Sequence, residues 1–185
     1  MIQVEAIHKK FSSVIALDNV SLKMEEGKIT ALVGDNGSGK STLIRILSGT
    51  ETADRGTIYI REQVYQKLTP RLVKRLGVAT VYQDLSLDEN RSAYLNLFLG
   101  REKLKWGFLL AHREMVEETE KLRDKLKIDL PDVRQLVSSL SGGQRQTLAM
   151  ARSIYTDADI ILLDEPTAAM GIRETAATNR FILQM

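Results

Sequence analysis

The chain is 185 residues long, 43% hydrophobic and 27% charged, with 26 basic and 24 acidic side chains for a formal net charge of +2. This length supports one sizeable core, and a near-balance of charge without a long basic block gives no electrostatic reason to expect nucleic acid. There is no cysteine, which excludes disulfides and Cys-ligated metals, and no apolar run approaches a membrane span of about 18 residues, so a soluble, intracellular chain is expected.

Residues 2–8 alternate Ile2, Val4 and Ala6 against Gln3 and Glu5 and predict a strand; residues 9–13 read as a turn, and Val20, Leu22 and Met24 as a second alternating strand. Phe11, in that turn, is suited either to lie flat on a planar base such as adenine or to cap the small sheet. Next, Ile29, Ala31, Leu32 and Val33 predict a buried strand that feeds Gly34-Asp35-Asn36-Gly37-Ser38-Gly39-Lys40-Ser41-Thr42, and Leu43, Ile44, Ile46 and Leu47 give the following helix one apolar side. Strand, glycine-rich turn with the spacing G-x4-G-K-[ST] and helix together form a nucleotide-binding P-loop. Gly34, Gly37 and Gly39 permit positive φ and close approach, so consecutive backbone N–H groups can cradle phosphates. Lys40 supplies a mobile charge for the β- and γ-phosphates, Ser41 a hydroxyl for Mg²⁺, and the helix aims its positive end at the same anion. Asn36, Ser38 and Thr42 complete the candidate binding set.

Asp54-Arg55-Gly56 turns the chain into a strand over residues 57–60, and Thr69-Pro70 reads as the cap and first residue of a helix closed by Gly77. A strand over 78–82 then delivers Gln83. Asp88 is the expected cap of a helix bearing Tyr94, Leu95, Leu97 and Phe98 and stopped by Gly100. Residues 112–128 place Met115, Thr119, Leu122 and Leu126 on one helical face, with His112 a solvated residue at its start. Leu140-Ser141-Gly142-Gly143-Gln144 opens a further helical run, 144–155, and forms a second anion-seeking helix end. Ile160-Ile161-Leu162-Leu163 is a buried strand ending in Asp164-Glu165-Pro166. Pro166 stops the strand and is expected to hold Glu165 extended, so that Asp164 serves Mg²⁺ through its water shell while Glu165 deprotonates the attacking water.

In this order, residues 34–42, Gln83, 140–144 and 160–165 resemble the nucleotide-binding subunit of ABC transporters over nearly the whole chain. Residues 81–85, 96–102 and 165–171 are similar to the branch that serves bacterial importers of ribose, xylose and fructose. The resemblance implies an α/β fold, a P-loop NTPase core with an antiparallel β-subdomain and an inserted helical subdomain: residues 1–84 and 151–185 form the core, and 85–150 the helical part with the signature. It also implies ATP and Mg²⁺ as ligands, with Lys40, Ser41 and Thr42 on phosphates and metal, Gln83 and Asp164 at the metal, Glu165 as base and Phe11 on adenine. Ser141 and Gly143 would contact the γ-phosphate bound to a second copy in a head-to-tail homodimer. The partners implied are a membrane permease, docked near Gln83 through Leu85, Leu87 and Phe98 unless these serve the core, and, indirectly, a sugar-binding protein. The subunit would then lie in the cytoplasm, peripheral on the inner face of the membrane.

Two departures from the family pattern bear on function. Met170-Gly171 stands where the wider family has an aspartate. Relatives also continue past this point with a strand and a switch histidine, whereas His8 and His112 precede Asp164 here. A chain ending at Met185 is therefore expected to lack the C-terminal part of the core, including a strand between the 160–163 strand and the P-loop strand. Two alternatives to a sugar importer stand beside it: a soluble ABC-type ATPase acting on DNA or the ribosome, and a truncated nucleotide-binding fragment without turnover.

Overall fold

Apolar alternation at the amino terminus produces two long antiparallel strands, β1 (Ile2–Phe11) and β2 (Val14–Met24), turning at Ser12-Ser13. The computed structural model describes residues 1–155, 158–168 and 170–183. Both strands exceed the expected lengths because cross-strand pairing carries Lys9, Lys10 and Phe11 into the ladder. The expected inward series Ile2, Val4, Ala6 breaks at a bulge. Ala6 takes φ 49°, and Ile7, fully buried, replaces it on the core face. Opposite stands Gly56 at φ 108°, where a Cβ would lie 2.6 Å from the Ala6 carbonyl oxygen. The bulge leaves Ala6 N–H outside the ladder, and Ser21 Oγ accepts it at 2.8 Å.

After helix α1 (Lys40–Leu47), strands β3 (Arg55–Ile60) and β4 (Gln63–Tyr65) extend this sheet to the order β2-β1-β3-β4. Leu43, Ile46 and Leu47 of α1 join Ile2, Val4, Ile7, Ile58 and Ile60 in one core. Helix α2 (Pro70–Arg75) starts as its sequence predicts, with Thr69 Oγ1 accepting from Leu72 N–H and Pro70 in the first turn. Strand β5 (Val78–Val81) pairs with β8 (Ile160–Leu163). Ile160 N–H donates to Gly77 and Asp164 N–H to Val81, a register that ascends on both strands and makes the pair parallel.

Helix α3 (Ala93–Leu97) begins later than expected, with Ser92 at its start in place of Asp88. The Asp88 carboxylate instead accepts from Asn90 N–H and Arg91 Nε, closing the preceding turn. The hairpin β6 (Leu104–Lys105) and β7 (Leu109–Leu110) leads into α4 (His112–Leu126), whose Met115, Thr119 and Leu126 are buried as the pattern predicts. His112 is exposed, its Nδ1 2.9 Å from the Tyr94 hydroxyl. Helices α5 (Gly142–Tyr155) and α6 (Ile172–Ile182) pack together, with Ala149, Met150, Ala151 and Phe181 in the same core as Leu97, Phe98 and Met115. The chain divides into two compact units: residues 1–80 with 159–162, and the described residues of 81–158 and 163–185.

The strand expected over residues 29–33 does not form. No regular structure spans 28–35, and Ile29, Leu32 and Val33 are 63%, 43% and 89% exposed. A strand is a pairing state, and among the described residues none lies alongside to complete its ladder, so these backbone groups turn to water.

Candidate functional site

The glycine-rich loop ends in Gly39, which caps α1 at φ 90°. A Cβ there would sit 2.3 Å from the Ala16 carbonyl oxygen and 2.7 Å from Leu17 Cδ2, so both handedness and space demand glycine, and the loop is seated against β2. Gly37, at φ 83°, faces open space. Gly34 lies close to Ser38, whose N–H donates to Asp35 O at 3.2 Å. Lys40 Nζ folds back to donate to the Gly34 and Asp35 carbonyls, each at 2.8 Å. No side chain caps the first turn of α1. Residues 36–42 therefore offer an ammonium, hydroxyls, an amide and helix N–H groups with no carboxylate among them, and this donor set fits a polyphosphate. Phe11 ends β1, 41% exposed, with the Lys9 ammonium 4.9 Å from its ring centre.

The second helix end has a local explanation. Ser141 Oγ accepts from Gln144 N–H at 3.3 Å, while Gln144 Oε1 accepts from Ser141 N–H at 3.0 Å: a reciprocal box that starts α5 two residues ahead of the expected 144. Ser141 is exposed and its own hydroxyl hydrogen is not used in that box. Gly143 O accepts from Thr147 Oγ1, and the Glu174 side chain packs over Gly143, its Cβ and Cγ 3.3 Å from where a Gly143 Cβ would be.

Gln83 is exposed, two residues beyond β5. The segment after it is pinned by a residue outside every recognised motif. Arg152 of α5 donates to Leu85 O and Ser86 O, each at 3.1 Å, and burial pulls its guanidinium below its ordinary pKa. At Asp88 the same segment is held again: fully buried Asn96 accepts Asp88 N–H at 2.7 Å and donates to Asp88 O at 2.9 Å. The available signal for Arg152 was its place four residues after buried Leu148, an arginine on the inner face of a helix. Phe98 is wholly buried, which removes it from an exposed docking face, while Leu85 and Leu87 are half-buried against the same core.

Asp164 is 8% exposed at the end of β8. Glu165 is exposed but not extended: its φ is 50°, because the chain reverses at once, Ala168 N–H donating to Glu165 O at 3.0 Å. Ala169, part of the 165–171 stretch, lies outside the described residues. Residues 34–42 and Phe11 belong to the first unit; Gln83, Ser141, Gly143, Asp164 and Glu165 belong to the second. Among the described residues no cluster of three or more His, Asp or Glu could hold a metal by itself. Ser41, Gln83 and Asp164 do carry the hard oxygen donors that suit Mg²⁺, which keeps much of its shell as water and phosphate oxygen.

A family profile described as ABC transporter matches residues 17–168. The xylose/arabinose import ATP-binding protein of Sulfolobus acidocaldarius is 44% identical over 174 residues, which cover 94% of this chain and 69% of that one. The ribose import ATP-binding protein of Caldanaerobacter subterraneus subsp. tengcongensis is 38% identical over 175 residues, 95% of this chain but only 35% of its own length. Among solved structures, an ATP-binding cassette of an ABC transporter in its ADP conformation superposes with a TM-score of 0.85 at 27% identity, covering 99% of this chain and 75% of that one.

Proposed function

The chain belongs to the ABC transporter family, and from that premise we propose that it is the nucleotide-binding subunit of a sugar importer, binding and hydrolysing ATP to drive a membrane permease. The observation that carries this reading is 44% identity, across 94% of the chain, to a xylose/arabinose import ATP-binding protein. A sugar importer is preferred to a soluble ATPase acting on DNA or the ribosome because the Sulfolobus and Caldanaerobacter relatives are both import proteins.

In this proposal the loop N–H groups, Lys40, Ser41 and Thr42 hold the phosphates of ATP, and Phe11 stacks on its adenine. Lys40 would exchange two carbonyl partners within its own loop for phosphate oxygens, a trade that favours the anion because charge-assisted bonds are the stronger kind. Mg²⁺, held by Ser41, Gln83 and Asp164, would neutralise charge on the transferring phosphoryl group. Glu165 takes a proton from the attacking water. The Ser141 hydroxyl and the Gly143 end of α5 face the γ-phosphate of a second copy, so that two chains close head to tail. The core of residues 1–84 and 151–185, the helical subdomain of 85–150, the sugar-binding partner and a cytoplasmic position beneath the permease belong to the same reading.

Mg-ATP affinity, measured with a fluorescent nucleotide, tests it. Lys40→Ala is expected to weaken binding by about 1.5–3 kcal/mol, the net worth of charged hydrogen bonds. Equal affinity of the two proteins would overturn the assignment of the loop.

A further inference from the structure

Six large apolar residues within a dozen positions stand in water: Leu99, Leu104, Trp106, Phe108, Leu109 and Leu110, with Trp106 and Phe108 each 73% exposed. Five of them lie on the β6–β7 hairpin. Two-residue strands cannot bury such side chains against each other, and contiguous exposed apolar surface on this scale marks a contact with something else. The tip is also held against its local preference. Trp106 and Gly107 take φ 54° and 84°, and a bulky aromatic residue with positive φ is a strained choice where asparagine or glycine would serve. The base, by contrast, is firmly tied. Ala111 N–H donates to Lys103 O at 2.8 Å, Lys103 pairs with Glu118, and Tyr155 donates to the same carboxylate at 2.9 Å. A stem tied by these bonds thus presents an aromatic, strained and exposed tip.

We propose that this hairpin is a direct contact with an anionic lipid surface, inserting Trp106 and Phe108 among the headgroups. Charge selects the occupant. From residue 99 to residue 113 the chain carries Arg101, Lys103, Lys105 and Arg113 against a single acid, Glu102. Lys103 and Arg113 are paired with Glu118 and Glu117, and the Glu102 carboxylate accepts Gly100 N–H. Among the described residues no carboxylate pairs with Arg101 or Lys105, so cations are left for an outside anion beside the tip. Lys105 sits over the Trp106 ring, its ammonium 4.8 Å from the ring centre, which joins a cation to an amphipathic ring as headgroup-level contacts do. Shape argues the same way: a short turn between two-residue strands offers a protein partner no groove, while a fluid headgroup layer needs none. The contact does not rest on nucleotide binding, and its test uses no nucleotide.

Trp106 is the only tryptophan in the chain, so its emission reports on the tip alone. The chain is mixed with phosphatidylcholine vesicles with and without phosphatidylserine, and emission and co-flotation are followed. Anionic vesicles are expected to shift emission to the blue and to carry the protein up the gradient; neutral vesicles are expected to do neither. Lys105→Gln should lower partitioning about fivefold, since one cation near an anionic surface contributes about 1 kcal/mol. Phe108→Ser should lower it by more, with the far-ultraviolet spectrum of both variants unchanged because both side chains are exposed. Unmoved emission, undiminished flotation of the Phe108→Ser variant, or a shift that appears only with vesicles containing the permease would overturn the proposal, the last in favour of a protein partner.

Discussion

Arg152 offers the sharpest test of how the segment after Gln83 is tied to α5. Arg152→Met keeps the apolar stem and removes both donors, leaving Leu85 O and Ser86 O without the guanidinium. Each hydrogen bond from a charged donor contributes about 1.5–3 kcal/mol net, which for two gives about 3–6 kcal/mol. Both bonds are long at 3.1 Å, and the desolvation that lowers the Arg152 pKa is relieved in the variant, so we expect a net loss of about 2–3 kcal/mol. With a urea m-value of about 1–3 kcal/mol/M the midpoint should fall by about 1 M. Arg152→Lys, a point charge that cannot fork to two carbonyls, should recover about half. Amide hydrogen exchange across residues 84–88 should rise selectively in Arg152→Met, since the segment after Gln83 then loses its tie to α5 and keeps the bonds at its Asp88 end, those of Asn96 among them. An unchanged urea midpoint together with unchanged exchange in that segment would refute the reasoning.

Gly39→Ala must move either α1 or β2, because its Cβ would lie 2.3 Å from a backbone oxygen at φ 90°; a loss of at least about 1–2 kcal/mol from handedness alone is expected in urea melts, with nucleotide affinity falling alongside. Glu165→Gln should retain ATP affinity while turnover, measured as phosphate release, falls by about 10² to 10⁴, the usual share of a general base. The pH dependence of stability should change at Glu118, whose pKa is held below the ordinary value of 4.5 first by the Lys103 bond and then by the Tyr155 hydroxyl. Its stabilisation is complete above the unfolded-state pKa and is lost as pH falls through the lower folded-state value, so Glu118→Gln should lower the urea midpoint at neutral pH and flatten the acid limb below it. Asn96→Leu removes every bond that side chain makes to the turn at Asp88, and should cost about 2–4 kcal/mol from stranded backbone groups, read in the same melts.

Local chemistry was legible in the chain alone. Thr69-Pro70 begins a helix, Gly39 takes a left-handed turn, and Met115, Thr119 and Leu126 share one helical face, because each of these is set by residues within a few turns along the chain. Candidate chemistry was legible for the same reason: a P-loop, a signature and an acidic strand end are contiguous strings whose spacing sets which atoms can converge.

What depended on distant partners was decided by the tertiary structure. Residues 29–33 have the composition of a buried strand but lie exposed, since a strand needs another to complete its ladder. The face of β1 changes at Ala6 because Gly56, fifty residues away in sequence, lets the two backbones approach. Phe98, Leu85 and Leu87 read equally well as surface or core until the core takes in Phe98 wholly and the two leucines in part, while Trp106 and Phe108, of the same apolar character, are left in water on a turn too short to fold them back. Apolar character states a preference for burial; which residues obtain it depends on what the rest of the chain brings within contact distance.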